Sequence, residues 1–429
     1  MSTVKNFYYR FRPLAWGAAL LAIGVAHAND VPALSVGDLI TQVLETNPEL
    51  AIYEAEIEAA HAEKRQAGRR KNPVFSLEGG HLQVREDGGA GTVEGLTWAA
   101  SIEQSIEFPG RLALRKAIAN ANQELAELGL AHFRRRLAYR VRELAAELHA
   151  ARTEAEAAEQ VAVRAMELTE AVLQRETGGI TPLLESRVLE SSRISLQHRR
   201  MQAWQRYQRV LIELNQLRNL PAETPVRIEE PITSYPRLPP IPELVTRAWT
   251  ESFDAVARQM ELAQQGFRVQ LAENERYPSI SIAPYVSQDN AGERETVVGV
   301  GVSFPLPLWD RNTDNIHAAR ARERQAQATL LVLRRDLERQ VVEQALAYQA
   351  AREALNALQP ESLEKLAEAA DLAERHFRLG ALPVGTYLEL QTAYLDALES
   401  LMAIRRDALQ SRLGLELLTG SFTESEMNQ

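Results

Sequence analysis

The residues that could support acid–base or metal chemistry are spread along the chain without the spacing that such chemistry requires. Cysteine is absent, which excludes disulfides and thiolate metal sites. No phosphate-binding glycine loop, nucleophile elbow or metalloprotease helix motif occurs. The sequence therefore predicts neither an enzyme nor a protein with a cofactor or a metal site. No two of the histidines share the four-residue spacing that places two imidazoles on one helix face: His61, His81, His132, His149, His198, His317 and His376.

The composition favours long helices and disfavours a nucleic-acid partner. Ala, Leu, Glu, Arg and Gln are abundant in the sequence, and the formal net charge is −10. Nucleic-acid-binding proteins usually carry a basic face that displaces phosphate counterions. The basic cluster at 134–136 is followed by Glu143 and Glu147, which is typical of a solvated helix surface.

Residues 1–28 have the order of a secretory signal peptide. Basic residues come first, an apolar stretch covers 14–25, and Ala-His-Ala at 26–28 forms a small-residue cleavage pattern. The apolar stretch is shorter than the roughly 20 residues of a spanning helix, and no later window supplies one. The acylated cysteine of a bacterial lipoprotein is also absent. We therefore expect an exported chain without a helical anchor.

The chain repeats one order of elements in its two halves. Each half has a short helical segment, two alternating strands, a proline-containing corner, a long helical stretch that stops at a glycine, and a second long helix. Gly179 and Gly380 are 201 residues apart, as are Pro182 and Pro383. The proline-rich segment between the halves cannot continue a helix. The expected divisions are a first repeat over 29–220, a linker over 221–242, a second repeat over 243–420 and a tail over 421–429.

Each half is predicted to contain a long helical hairpin, over about 111–219 and about 311–419. Apolar residues recur in steps of three and four, as in coiled packing. The first helix would extend on the order of 100 Å at 1.5 Å per residue, so it must pack against other helices. Glycines suit left-handed helix ends, prolines suit the first turn of the returning helix, and Pro360 should interrupt the second long stretch. The predicted turn residues are Gly178, Gly179, Pro182, Gly380 and Pro383.

Period-two alternation predicts four strands. In the second strand, even-numbered residues from Leu96 to Phe108 are apolar, except Gln104, and the odd-numbered residues are small or polar. The lengths match the roughly 9–11 residues that a tilted strand needs to cross a bilayer. Polar, glycine-bearing segments suited to hairpin loops join each pair. The expected strands cover about 74–84, 95–108, 278–287 and 296–305.

Four strands cannot close a barrel by themselves. An open sheet edge would leave backbone groups unpaired in hydrocarbon, so several chains would have to share one barrel. Alternation alone also fits a soluble sheet with one wet face. The export signal, the duplicated layout and the long helices together favour the shared barrel.

The two strand-to-helix corners carry the most specific resemblance. Residues 104–111 and 305–312 resemble the corners of the TolC-like outer-membrane efflux family, in its CzcC-type branch. This resemblance implies a mainly α, mixed α and β fold: a trimer with a shared twelve-stranded transmembrane β-barrel, four strands per chain, and a long periplasmic α-helical barrel. Prolines there suit the end of a strand ladder. The corner residues are Pro109, Gly110, Arg111, Pro307, Asp310 and Arg311.

The resemblance also implies a function and partners. Such a homotrimer lies in the outer-membrane lipid of a Gram-negative bacterium and is a passive exit duct for an inner-membrane RND pump and its periplasmic adaptor, a membrane fusion protein. The CzcC-type branch implies cobalt, zinc, cadmium or copper as cargo. A duct for drug efflux or type I protein secretion remains open. From other classes, a periplasmic helical-hairpin adaptor or scaffold and a helical exported enzyme are the alternatives.

Acidic residues near the helical-hairpin turns are the candidate gate of the periplasmic tip. Matching the family pattern after Gly380 places Glu389 at a pore-facing acid, whereas Thr386 replaces the second family acid. After Gly179 the comparable acid is Glu185. Both acids also suit an ordinary first helical turn, where the helix dipole favours negative charge.

Aromatic side chains cluster near the predicted strand ends. Trp98, Phe108, Tyr277 and Trp309 lie there. Amphipathic rings prefer the level of the lipid headgroups. Core packing is the competing explanation, and the sequence does not separate the two.

Overall fold

The computed structural model describes most of the chain. The predicted signal peptide over 1–28, the turn residues Gly178, Gly179 and Pro182, and the tail over 421–429 fall outside the described residues, as does Pro360. The described ranges are 33–85, 92–176, 183–229, 235–291, 293–358 and 362–420.

The two halves share one order of elements, two helices, two strands and a long helical hairpin. In the second half the first long stretch consists of two helices, the first ending at Ala357 and the second beginning at Ser362. The first half comprises β1 (Ala33–Leu34), α1 (Val36–Thr46), α2 (Glu49–Ala67), β2 (Val74–Arg85), β3 (Thr92–Ile106), α3 (Arg111–Glu176) and α4 (Leu183–Leu217). The second comprises β4 (Arg227–Ile228), α5 (Ile241–Glu251), α6 (Phe253–Glu275), β5 (Ile280–Asp289), β6 (Glu295–Ser303), α7 (Thr313–Ala357), α8 (Ser362–Arg378) and α9 (Val384–Thr419).

The short helix that opens each half packs against the long hairpin of the same half. The side chain of Ser35 accepts a hydrogen bond from the Asp38 amide, which caps α1. Helix α1 buries Leu39 and Val43 in a cluster with α3 and α4. In the second half α5 buries Leu244 against α7 and α9. An amphipathic helix of this kind closes the end of each hairpin near the linker.

The two hairpins pack on each other through α3 and α9. Small side chains of α3, among them Val161 and Ala165, are buried against Leu395, Leu398 and Met402 of α9. Burying each leucine stabilises the fold by about 1.5–3 kcal/mol. At 66 residues, α3 is about 100 Å long.

The proline-rich linker is bound to both halves. The sequence predicts only that it cannot be helical, yet its strand β4 pairs in parallel with β1. The side chain of Asn215 donates hydrogen bonds to the carbonyl oxygens of Ala222 and Thr224, at 3.0 and 2.8 Å. The Tyr348 hydroxyl of α7 donates to the Pro236 carbonyl at 2.8 Å. These contacts fix the linker at the junction of the two repeats.

The four long strands form one antiparallel sheet in the order β2-β3-β5-β6. Strand β3 pairs with β5, so the sheet joins the two halves. The pairing of Thr97 with Asp289 extends β5 two residues beyond the predicted end. Strands β2 and β6 each pair on one side within this sheet. Among the described residues neither outer strand has a second neighbour, so this sheet has two open edges.

None of the helices in the described ranges is long and apolar enough to cross a membrane. The long helices carry charged residues throughout, and α3 begins directly after the corner that follows β3. They therefore extend away from the sheet as charged, partly exposed rods.

Candidate functional site

One face of the sheet is apolar and exposed across all four strands. Leu77 of β2 lies opposite Ala100 of β3, which lies opposite Val286 of β5, which lies opposite Val298 of β6. The Val298 side chain is 79% exposed, which is costly for an apolar group in water. The same exposed face carries Phe75, Leu96, Ile102, Ile106, Ile280, Ile282, Val300 and Val302.

The opposite face of the sheet carries mainly polar and small residues. One row across it consists of Gly80, Thr97, Asp289 and Glu295. The Thr97 hydroxyl donates a hydrogen bond to the Asp289 carboxylate. This face presents hydroxyl and carboxylate groups. Among the described residues these groups form no cluster that would bind a metal ion tightly, as expected for a wall in contact with water.

Small residues on the polar face make room for one large ring. The Tyr285 ring lies over Gly299, where an added Cβ would be 2.7 Å from the ring. Gly301 faces Ala283 in the same pair of strands. On this face, the middle of the β5–β6 pair therefore consists of small residues covered by the Tyr285 ring.

Polar groups mark the loop end of the apolar face. The Gln83 amide donates a hydrogen bond to the Glu94 carboxylate at 2.6 Å, and His81 lies 3.3 Å from the same carboxylate. The indole N–H of Trp98 donates to the Gln288 side-chain oxygen at 3.1 Å. From this polar row toward the helix end of the sheet, the β3 side chains on this face are apolar for about ten residues, with Gln104 as the one polar exception. At about 3.3 Å per residue and the usual tilt, that length gives a band about 25 Å tall.

The first corner is locked by Arg111. Gly110 has φ +89°, a backbone conformation that favours glycine. The Arg111 guanidinium donates to the side-chain oxygen and the carbonyl of Asn274, to the Tyr277 carbonyl at 2.7 Å, and to the Ser279 hydroxyl. Arg111 thus ties the start of α3 to the last turn of α6 and to the segment that follows it before β5. The sequence shows the residue but not these partners, which lie more than 160 positions away.

A second ion pair supports the same corner. The Arg115 guanidinium donates to both carboxylate oxygens of Glu107, at 2.6 and 2.7 Å. The Glu107 side chain is 12% exposed. Hydrogen bonding from Arg115 lowers the pKa of Glu107, and burial opposes that shift in part. Glu107 is therefore ionised wherever the protein is folded near neutral pH.

The second corner depends on Asn312, and its apolar side chains are exposed. Asn312 has φ +60°, and its side chain donates to the Ala272 carbonyl at 2.8 Å. The Asp310 carboxylate accepts a hydrogen bond from the Asn312 amide. Leu306, Leu308 and Trp309 are 64%, 63% and 94% exposed. Pro307 and Arg311 are exposed as well.

The predicted tip residues lie at the starts of α4 and α9. Helix α8 ends in a left-handed Gly380, and the Ala381 amide bonds to the His376 carbonyl. Thr386 and Glu389 are exposed on α9, while Val384 packs with Leu189 of α4. The backbone of Glu185 lies in the first turn of α4, beside this cluster. Its side chain lies outside the description.

Pro383 does not lie in the first turn of the returning helix. It is the residue that precedes α9, with φ −63° and ψ 148°. The predicted position is therefore wrong by one residue. The extended ψ is that of a helix N-cap, which the fixed φ of proline allows, and the Pro383 carbonyl accepts the first hydrogen bond of the helix, from the Tyr387 amide at 3.2 Å.

An ion-pair cluster near the tip has no signal in the sequence. Arg164 of α3 pairs with Asp371 of α8 and lies 3.4 Å from Glu374, which also pairs with Arg378 at 2.6 Å. The Tyr387 hydroxyl is buried beside them and has no hydrogen-bond partner among the described residues. Burial raises the pKa of Tyr387, so it stays neutral. The cluster fastens α8 to α3, two helices about half the chain apart in sequence.

Metal-ligating side chains occur as pairs in the described residues. Glu94 lies near His81, and Glu127 lies 3.9 Å from His61. His132 stacks on Phe253 instead, and burial lowers its pKa. Within the described ranges there is no group of three or more His, Asp or Glu residues that could hold a metal ion.

Similar folds occur in solved outer-membrane proteins. CusC, solved in the context of folding and transmembrane channel formation, superimposes with a TM-score of 0.71 at 15% identity, over 91% of this chain and 93% of that chain. VceC, an outer membrane protein of Vibrio cholerae, gives a TM-score of 0.69 at 17% identity, over 91% and 97%. At these identities the likeness concerns the fold, and it confirms the predicted mainly helical TolC-like fold.

Sequence comparison identifies a family. The cobalt-zinc-cadmium resistance protein CzcC of Cupriavidus metallidurans is 29% identical over 103 residues, which is 24% of either protein. The match thus spans about a quarter of the length of that relative. The family model described as outer membrane efflux protein matches residues 39–222 and 244–421, one segment in each repeat. Because these segments cover most of the chain, it belongs to the outer membrane efflux protein family, whose members are channels and not enzymes.

Proposed function

We propose that three copies of this chain form a passive duct from the periplasm to the outside of a Gram-negative cell. The observation that carries this proposal is the two-faced sheet with two open edges, joined to long helices of which α3 extends about 100 Å. One face is apolar and exposed, and the other is polar. A wall of this kind separates lipid from water.

The open edges of β2 and β6 support a shared barrel. In hydrocarbon, each unpaired backbone N–H and C=O would cost several kcal/mol. Pairing β6 of one copy with β2 of the next removes both edges. Three copies of four strands give the twelve-stranded barrel that the family resemblance implies. The apolar face would then meet outer-membrane lipid and the polar face would line the bore.

The helices support a tunnel made of the same three copies. Helix α3 packs against α4 and α9, and α9 packs against α7, so α4 and α7 flank the helical layer. Both flanking helices expose apolar side chains, which pairing of neighbouring copies would cover. Those side chains are Val188, Ile194, Met201 and Ile212 of α4 and Leu331, Val332 and Leu346 of α7.

We propose that the tunnel entrance is the end formed by the starts of α4 and α9. Thr386 and Glu389 are exposed there, and Glu185 lies on the adjacent helix. A periplasmic adaptor would engage this end and connect it to an inner-membrane RND pump, which supplies the energy. The duct itself performs no chemistry.

We propose divalent heavy-metal cations, namely cobalt, zinc, cadmium or copper, as the cargo. The corner residues that resemble the CzcC-type branch support this, as does the partial match to the resistance protein CzcC. A drug or protein-secretion cargo is the alternative. Growth of a strain lacking the chain on graded cobalt, zinc, cadmium and copper, with and without the gene restored, would decide it. Sensitivity to drugs alone would exclude the metal cargo.

The duct is tested by expressing the whole chain, including residues 1–28, and separating the membranes. We expect a heat-modifiable trimer in the outer-membrane fraction and ion conductance after transfer to planar bilayers. A Val300→Arg variant places a charge on the apolar face, where it should cost about 2–4 kcal/mol in the bilayer. A Gly301→Ser variant on the polar face is the matched control. A monomer in the periplasmic fraction would contradict the duct.

A further inference from the structure

The apolar face of β6 continues past the end of the strand. Every second residue from Val298 to Leu308 is an exposed apolar residue, although the strand itself ends at Ser303. The segment between 304 and 309 contains two prolines and is non-helical. Trp309 follows and is 94% exposed. The run of exposed apolar side chains is therefore longer than the pairing ladder at this end.

Aromatic side chains of the neighbouring strands reach the same level. Ile106 and Ile280 are paired in the last row of β3 and β5. Just beyond this row, the rings of Phe108 and Tyr277 stack with centroids 4.4 Å apart. Both rings are partly exposed. Together with Trp309 they place indole and phenyl rings along the helix end of the sheet.

Exposed cations flank the same end. In the segments that border the strands there, the exposed acids are Glu275 and Asp310, because Glu107 is paired with Arg115. The cations form no hydrogen bond or ion pair through their side chains with any described residue. They are Arg69, Arg70, Lys71, Arg276 and Arg311. At the loop end the strand-bordering residues are instead rich in acids: Glu94, Asp289, Glu293 and Glu295.

We propose that the helix end of the sheet is a binding collar for anionic glycerophospholipids. Leu306, Leu308 and Trp309 enter the boundary between acyl chains and headgroups, while Arg69–Lys71 and the other exposed cations bind the phosphates. This proposal rests on the proposed function, because it takes the apolar face to be in the bilayer. Exposed apolar side chains lie next to exposed cations here. A glycerophospholipid has the complementary arrangement, because its acyl chains lie next to a negatively charged phosphate.

A second copy of the chain is a poorer occupant of this surface. A neighbouring copy pairs along the strand edge, in the plane of the sheet. The side chains of Phe304, Leu306 and Leu308 are exposed and lie beyond the last row in which β6 is paired. Pairing of β6 would therefore leave them exposed to whatever surrounds the barrel.

The test uses Trp309 as the only tryptophan of the mature chain, in a variant with Trp98→Phe, Trp204→Phe and Trp249→Phe. The trimer is inserted into phosphatidylcholine vesicles that contain brominated phosphatidylglycerol or, in parallel, brominated phosphatidylcholine. Bromines lie either near the headgroup or near the chain end. Heat-modified mobility and conductance are measured on the same vesicles.

We expect stronger quenching of Trp309 by bromines near the headgroup than by those near the chain end. At equal mole fraction, brominated phosphatidylglycerol should quench about twofold more than brominated phosphatidylcholine. This excess should disappear in the Arg69→Ser, Arg70→Ser, Lys71→Ser variant. An Arg258→Ser, Arg334→Ser, Arg335→Ser variant, on α6 and α7, should keep it.

Two results overturn the collar. Equal quenching by the two lipids shows that headgroup charge is not recognised. Shielding of Trp309 from brominated lipid and from aqueous acrylamide shows that protein covers it. If conducting trimers are present in either case, the duct stands and only the collar is wrong. Absence of inserted trimers contradicts the proposed function itself.

Discussion

The two strand-to-helix corners of the repeat, residues 107–111 and residues 304–312, differ in what their side chains contact. At the first corner, Arg111 makes four hydrogen bonds to the last turn of α6 and the segment between α6 and β5. At the second, Leu306, Leu308 and Trp309 are exposed and the turn depends on Asn312. Both corners contain a residue with positive φ.

The position of the strands in the sheet explains the difference. The first corner follows β3, which has a neighbour on each side, whereas the second follows the edge strand β6. The chain therefore covers the first corner with its own residues, whereas none of the described residues covers the apolar side chains of the second. The two repeats of the chain therefore share the backbone path of their elements, whereas the side-chain contacts of each repeat depend on the elements that lie beside it.

The largest expected effect is at Arg111. Arg111→Ala should lower the free energy of unfolding by about 2–3 kcal/mol, because it removes the donor of the Tyr277 carbonyl oxygen and of the Asn274 side-chain oxygen. Arg311→Ala, at the exposed second corner, should change it by less than about 0.5 kcal/mol. Urea titration of the protein in detergent micelles measures both. Equal changes in the free energy of unfolding would show that Arg111 and Arg311 contribute equally to the stability of their corners.

Arg111→Lys sharpens this comparison. Lysine keeps the charge but lacks the planar fork of five donors that reaches Asn274, Tyr277 and Ser279 together. We expect it to recover less than half of the loss. Full recovery would mean that charge, and not the hydrogen-bond geometry, holds the corner.

Backbone strain gives the next effect. Gly110→Ala places a Cβ at φ +89° and should cost about 1–2 kcal/mol. Asn312→Gly relieves the positive φ but removes the bond to the Ala272 carbonyl, so its net cost should stay below about 1 kcal/mol. The same urea titration reports both values. If Asn312→Gly costs more than Gly110→Ala, the Asn312 side chain contributes more to its corner than the glycine conformation contributes to the first corner.

The Glu107–Arg115 pair predicts a dependence on pH at the first corner. The pKa of Glu107 is lowered in the folded protein, so its stabilising contribution is present above the unfolded pKa and is lost as pH falls through the folded pKa. Glu107→Gln should cost about 1 kcal/mol at neutral pH and less in acid. Asp310→Asn is the matched change at the second corner and should cost less at neutral pH, because the Asn side-chain oxygen can still accept the hydrogen bond from the Asn312 amide.

Substitutions of the exposed leucine and tryptophan should have the smallest effect on folding. Trp309→Ser and Leu308→Ser should alter the unfolding free energy in micelles by less than about 0.5 kcal/mol, because neither side chain is packed within the chain. Phe108→Ser, which loses its stack on Tyr277, should cost more. A strong effect of Trp309→Ser in micelles would show that the second corner is packed after all.

The sequence predicts the elements well where a local period or a breaker residue decides them. Alternation indicates the strands, three-and-four spacing indicates the long helices, and prolines indicate the corners. The contacts that fix these elements join distant positions, such as Arg111 with Tyr277 and Arg164 with Asp371. No local pattern specifies such partners. The short strand in the linker was missed for the same reason, because two residues carry no period.

The most direct test of the shared barrel is cross-linking between the open edges of neighbouring copies. The chain has no cysteine, so paired substitutions can be read without background. Leu77→Cys in β2 is combined in turn with cysteine at 298, 300 or 302 of β6, on the same face. We expect oxidation in outer membranes to give dimers and trimers for at least one pair, and none when Leu77→Cys is combined with cysteine at 297 or 301. Monomers throughout the series would contradict a barrel shared between copies.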